Sequence, residues 1–334
     1  MDNIITNVFL AGWCADAVGA RLEFTKHKYN ETTVIKAMHF IGENSVGVYP
    51  GQFTDDSEME IALLNGLLLG KDSDYFPIEE IATEYIEWYN SNPFDIGLTT
   101  RNALLDSKNA EDMVNNAYEY NEDSESNGSL MRCIPIAVFC IGKSYETILD
   151  VAETDASLTH YNPIVKLTTG IYCCIISKLL LFHTNHVIMN ANDIILLIND
   201  VKRLANNTKI VEWIEIGLTM NDLNDYDSIN NEGHVKHAFI FVIYFLHNIE
   251  KYSYETAIIE VLKCGGDTDT NAKIVGNLFG AYYSNCVPNY MKEIVLNFDC
   301  TQVDNDFFKR PKKYGIRNAL KLVKQLIYYL RRTG

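Results

Sequence analysis

The stretch "KCGGDTDTNAKIVGNLFGAYYS", residues 263–284, decides how this chain is read. Two glycines precede Asp267, Asp269 and Thr270, and the residues behind them carry a helical pattern. Paired glycines let the backbone turn tightly and approach closely, so the two acids sit at the mouth of a helix. Two residues apart in a short extended link, their carboxylates can point the same way. Gly276 and Gly280 lie four apart, on one face, where a second helix can pack closely.

Helical periodicity extends outward from this stretch. Residues 79–90, "EEIATEYIEWYN", alternate acids with apolar residues near a 3.6 period, and 235–249, "VKHAFIFVIYFLHNI", read as a helix buried on nearly every side. The segment 318–332, "NALKLVKQLIYYLRR", is amphipathic, with Leu320, Val323, Ile327 and Leu330 on one stripe and basic residues in its last turn. Only "IKAMHF" (35–40) and "VGVYP" (46–50) suggest strands. Polar loops are expected at 25–33, 71–76, 115–129 and 219–233, none long enough to separate domains. The expectation is one all-α domain over 1–334.

The chain has 334 residues, enough for a large core, and 28 basic against 44 acidic side chains give a net charge of −16. That balance disfavours a nucleic-acid backbone or an anionic membrane as partner and suits divalent cations or a basic partner. Eight cysteines include no C-x-x-C pair, and several lie in apolar runs where a thiol packs as a small hydrophobe. A reducing, cytoplasmic setting is expected. The opening residues "MDNIITNVFLAGWCADAVGA" lack a positive region and carry Asp16 at the would-be cleavage point, which argues against a signal peptide. The run 170–182 is short and contains Lys178, so it reads as a buried helix.

A second acidic cluster, "GQFTDDSEMEIALLNGLL" (51–68), opens another helix. Thr54 or Asp55 can cap that helix, and Glu58 fits the capping pattern three residues on. Capping accounts for one or two acids, not for two such clusters. Thr54, Asp55 and Asp56 with Asp267, Asp269 and Thr270 supply four carboxylates and two hydroxyls, hard oxygen ligands suited to two Mg²⁺ or Mn²⁺ ions. Glu58 and Glu60 read as ordinary capping and surface acids.

These blocks, with "AGWCADAVGARLEF" (11–24), "FDIGLTTRNAL" (94–104), "SNGSLMRCIPIA" (126–137) and "SLTHYNP" (157–163), run in the order seen in one family. The chain resembles the ADP-ribosylglycohydrolases. The resemblance implies a single large orthogonal helical bundle and a binuclear Mg²⁺ (or Mn²⁺) centre. It implies hydrolysis of the C1″ bond between ADP-ribose and an acceptor side chain. It matches Thr54, Asp55, Asp56, Asp267, Asp269 and Thr270 to metal ligands, and Glu23 and Asp95 to acids near the scissile ribose. Asn127, Gly128 and Ser129 match a substrate loop, and His160 a ligand-contacting histidine. Ala15-Asp16 departs from the family's Gly-Asp, so a turn there must accept a methyl group. Leu98, His234 and Ser284 depart at the acceptor and nucleotide pockets.

An ADP-ribosylated protein, with arginine the favoured acceptor, is the expected partner, and a monomer the expected state. The alternatives are a non-catalytic ADP-ribose-binding member or a hydrolase of a small conjugate such as O-acetyl-ADP-ribose. Arg101 and Arg132 are as readily structural as phosphate-binding. The acidic loop 119–125 can rim a cleft and attract a cationic acceptor.

Overall fold

In the computed structural model, which describes residues 2–333 except 24, 74 and 207, the chain-order reading of helices holds nearly everywhere. The helices are α1 (Asp2–Gly19), α2 (Glu31–Met38), α3 (Asp55–Leu69), α4 (Ile78–Asn90), α5 (Leu98–Leu104) and α6 (Ala110–Asn121). They continue with α7 (Ile134–Phe139), α8 (Tyr145–Ser157), α9 (Pro163–Thr184), α10 (Ala191–Ala205) and α11 (Thr208–Thr219). The last five are α12 (Val235–His247), α13 (Tyr254–Cys264), α14 (Thr268–Tyr282), α15 (Asn289–Asn297) and α16 (Ile316–Thr333). Among the described residues there is no extended strand, so the fold is all-α.

The strand expectation at 35–40 fails for a local reason. Asn30 caps α2 by accepting from the Thr33 amide, and Val34, Ala37 and Met38 bury one helical face. Residues 46–50 are irregular, and α6 claims residues 115–121 of the expected 115–129 loop. On α16 the buried face runs through Ile316, Ala319, Leu322, Val323, Leu326 and Ile327, so the expected stripe is displaced and Leu320 is only half-buried.

Chain contacts divide the molecule into two units. The first comprises residues 3–54 and 178–298. Its centre is α1 against α14. A Cβ on Gly276 would lie 2.8 Å from the Ala11 carbonyl oxygen, and one on Gly280 would lie 2.8 Å from Ala11 Cβ. The two glycines therefore let the helix backbones meet, as their spacing predicted. Tyr254 of α13 donates to the Ala11 carbonyl at 2.8 Å, and Asn277 donates to that of Val8 at 2.8 Å. Helix α12 is apolar all round and buried from Val235 to Leu246 except at Lys236.

The second unit comprises residues 55–177 and 299–334. Gly66 of α3 lies against the Ile81 backbone of α4, and α4 buries Ile81, Ala82, Tyr85 and Trp88. This unit also buries charge in matched pairs. Arg132 and Asp155, both fully buried, meet at 3.3 Å, and Tyr85 donates to Asp155 at 2.8 Å. Arg310 Nε donates to Glu58 at 2.9 Å, and Trp88 Nε1 donates to the same carboxylate at 2.8 Å. Glu58 and Glu60 are therefore not surface acids; they are 2% and 0% exposed. Helix α9 is long and apolar enough to cross a bilayer, but 72% of its most apolar window is buried within the protein, as a core helix requires.

Candidate metal centre

The site is built at the N-terminus of α14. Gly265 and Gly266 take φ of +70° and +76°, the left-handed region, where L side chains are strained. A Cβ on Gly265 would also lie 2.6 Å from the His27 carbonyl oxygen, and one on Gly266 would strike that of Ser228. The pair therefore swings the chain into Asp267, which occupies the helix N-cap without its side chain capping the helix. Thr268 donates to the Gly19 carbonyl at 2.8 Å and ties this N-terminus to the end of α1.

Around that anchor, carboxylate oxygens of Glu23, Asp267 and Asp269 all lie within 4.8 Å of one another. Glu23 and Asp269 are buried, and Asp267 is half-buried. Glu23 is carried by the turn after α1, where Ser45 donates to its carbonyl at 2.6 Å and Tyr29 donates to the neighbouring Leu22 carbonyl at 2.8 Å. Asp269 accepts from the Thr270 amide at 2.8 Å and from the Thr54 hydroxyl at 3.3 Å. The Thr54 hydroxyl also lies 3.1 Å from Asp16, whose carboxylate accepts the Thr54 amide at 3.0 Å. Thr54 is thus the bridge between two buried acids.

Asp16 is the residue that the sequence reading passed over. It is fully buried in the last turn of α1, where a helix dipole opposes a negative charge. An acid between Ala15 and Ala17 in an apolar helix was the available signal. The feared strain at Ala15 does not arise, because α1 runs straight on to Gly19 and Ala15 Cβ packs at Gly276. Glu232 feels the charge of this cluster. Burial, and then the negative charge of Asp267, push its carboxyl above the usual range.

Like charges gathered this closely in a partly desolvated setting are costly unless a cation compensates them. The donors are hard oxygens with no His or Cys among them, which fits a divalent ion of the Mg²⁺ or Mn²⁺ kind. Asp55 and Asp56 follow Thr54 directly along the chain and open α3, Asp55 half-buried and Asp56 buried. Thr270, also buried, lies next to Asp269.

The remaining expected site residues belong to the second unit. Asp95 lies half-buried on the loop between α4 and α5. Asn127, Gly128 and Ser129 form a buried turn seated on His160: a Cβ on Gly128 would lie 2.9 Å from His160 Cε1. His160 is fully buried, and burial, then the nearby Arg132 charge, hold it well below the usual imidazole range and hence neutral. Arg132 donates to the Thr159 hydroxyl at 2.7 Å, which leaves that hydroxyl's hydrogen for His160 Nδ1 at 2.7 Å. By this network Nε2 carries the ring proton and donates to Ser126 at 2.9 Å, while Ser126 donates to Thr99 at 2.9 Å. Arg132 therefore braces the 126–129 turn from beneath. Leu98 stands 73% exposed, and His234 caps α12 by accepting from the Lys236 amide.

The ADP-ribosylglycohydrolase family model matches residues 2–315. A protein of Acanthamoeba polyphaga mimivirus, provisionally named ADP-ribosyl glycohydrolase L543, is 34% identical over 90% of this chain and 94% of its own length. The ADP-ribosyl-[dinitrogen reductase] glycohydrolase of Rhodospirillum rubrum is 24% identical over 82% of this chain and 84% of its own. The ADP-ribosylarginine hydrolase Tri1 of Serratia proteamaculans is 23% identical over 80% of this chain and 68% of its own. A solved ADP-ribosylglycohydrolase-related protein complex shares the fold, with a TM-score of 0.70 at 19% identity over 98% of both chains. The chain belongs to the ADP-ribosylglycohydrolase family, hydrolases of glycosyl bonds.

Proposed function

We propose that this chain hydrolyses the C1″ bond joining ADP-ribose to a modified protein side chain, with arginine the favoured acceptor, in a reaction dependent on Mg²⁺ or Mn²⁺. The observation that carries the reading is the meeting of Glu23, Asp267 and Asp269 oxygens within 4.8 Å, beside Thr54. Asp55 and Asp56, one and two residues beyond Thr54, complete the ligand set together with Thr270, enough for two ions. Bound there, such ions would supply Lewis acidity towards ribose and water oxygens and would neutralise developing charge.

The chain's own residues do the rest. Glu23 or Asp95 holds or removes the proton in the hydrolytic step. Asn127, Gly128 and Ser129 position the substrate, and His160 acts as a positioning residue whose neutral ring holds Ser126 through Nε2–H. The name of the Serratia relative and the acidity of segment 119–125 support the arginine preference. The family model covering residues 2–315 supports a single domain, and eight free cysteines support a reducing, cytoplasmic setting; the proposed state is a monomer.

The test is release of ADP-ribose from arginine-, serine- and acetyl-linked substrates, with Mg²⁺ and with EDTA. Release from the arginine-linked substrate alone, abolished by EDTA, is the expected result. Release of ADP-ribose from the acetyl conjugate only would replace the acceptor, and no release from any substrate would leave a binding protein.

A further inference from the structure

A cavity of about 1000 Å³ lies along α16 in the second unit, bounded at its other wall by Leu68 and the turn after α3. On a chain of net charge −16 it is a basic island. Lys71, Arg317, Lys321, Lys324 and Arg332 line it, against the single acid Asp72. The four cations of α16 fall at positions i, i+4, i+7 and i+15, one stripe about 22 Å long at 1.5 Å per residue.

Helix chemistry alone explains only part of this stripe. Arg332, in the last turn, complements the helix dipole. Arg317 stands in the first turn, where a cation opposes the dipole, and Arg317 with Lys321 form a like-charged i,i+4 pair that mildly destabilises the helix. Arg317 has only a loose pairing with Asp299 at 3.8 Å, and Lys321 and Lys324 have no ion-pair partner among the described residues. Both lysines are exposed. Between the charges the wall is apolar: Leu320 is half-buried, and Tyr328, 63% exposed, stacks under the Arg332 guanidinium with 5.6 Å from Cζ to the ring centroid.

We propose that this groove docks an acidic amphipathic helix of a partner protein. The length suits about four helical turns and exceeds a single nucleotide, and the alternation of cations with Leu320 and Tyr328 calls for acids and apolar residues on one face. A nucleic-acid backbone would satisfy the charges but leave the apolar wall uncovered. Charge complementarity with an acidic segment is the attraction, so binding weakens as salt rises.

The test uses the full chain and a fluorescein-labelled helical peptide of Glu and Leu, about sixteen residues long to match the groove. Controls are a peptide of the same composition with the leucines scrambled, and a labelled single-stranded oligonucleotide. The amphipathic peptide should bind in anisotropy titrations, at least fivefold more tightly than the scrambled one. Lys321→Glu with Lys324→Glu should weaken it at least tenfold, and Tyr328→Ala should weaken it with the charge intact. Glycohydrolase activity of these surface variants should not change, and their melting temperature should not fall. Failure of the peptide to bind, equal binding by the variants or by the scrambled peptide, or tighter binding of the oligonucleotide would each overturn the proposal. Self-association in sedimentation that the same variants abolish would assign the groove to a second copy and overturn it as well.

Discussion

The two units arrange their buried acids differently, although the first also buries the cations Arg21 and Lys273. In the second, acids face cations: Asp155 meets Arg132, and Glu58 meets Arg310 and Trp88. In the first, Glu23, Asp267 and Asp269 bring three oxygens of one sign within 4.8 Å, with Asp16 joined to Asp269 through Thr54. A matched pair is internally complete and serves the fold. A gathered set of hard oxygens of one sign is an arrangement that could hold a divalent cation, which the matched pairs of the second unit are not.

The largest expected effect lies in activity, in the first unit. Asp267→Asn keeps the size of the side chain and removes one charge from the set. ADP-ribose release should fall at least about a hundredfold, the upper end of what partners one step removed from a metal cost. The melting temperature in EDTA should stay level or rise, because a like charge has gone. An Asp267→Asn protein that unfolds in EDTA would erase the distinction between the two units.

The matched pair predicts the reverse. Asp155→Ala leaves Arg132 buried beside Tyr85 without its carboxylate and should cost about 3–5 kcal/mol in denaturant unfolding. A loss below about 1 kcal/mol, the scale of an exposed pair, would remove the pair's structural role.

Smaller still is the strain prediction. Gly266→Ala must hold φ near +76° with its methyl against the Ser228 carbonyl, and a strained residue of this kind costs about 1–3 kcal/mol. Because the turn aims Asp267, the affinity for Mg²⁺ should fall along with stability. Unchanged Mg²⁺ affinity would mean that Asp267 is aimed by something other than the glycines.

The smallest effect is a pH dependence. His160 is held well below its ordinary value, and His237 is pushed down to about 4, chiefly by burial. The unfolded chain takes up protons at these sites near pH 6.5, before the folded protein does, so stability is full above that pH and is lost as pH falls below it. His160→Gln should flatten the slope of stability against pH between about 6.5 and 5, with His237 supplying what remains. An unchanged slope would show that His160 binds its proton equally in the folded and unfolded chain.

The α14 stretch was legible because what shapes it is local: two glycines, two acids and a helical pattern lie within a few residues of one another. Glu58 was not legible. Its partner Arg310 is 252 residues away, and nothing near Glu58 distinguishes a buried acid from a surface one. Asp16 stayed hidden for the same reason, since the Thr54 amide and hydroxyl that hold it come from 38 residues on. The strand expectation at 35–40 failed because Asn30 starts a helix whose period outweighs the β-branched residues. Likewise the apolar character of α16 was plain, whereas the exact stripe that packs depends on α3 and could not be read from α16 alone.

The most direct test of the central claim is calorimetric titration of Mg²⁺ into the chelator-treated protein, beside a variant carrying Asp267→Asn and Asp269→Asn. The account predicts saturable binding by the unaltered chain, with a melting temperature that climbs with Mg²⁺, and loss of both in the variant. Equal Mg²⁺ binding and equal thermal shifts in the two proteins would contradict it.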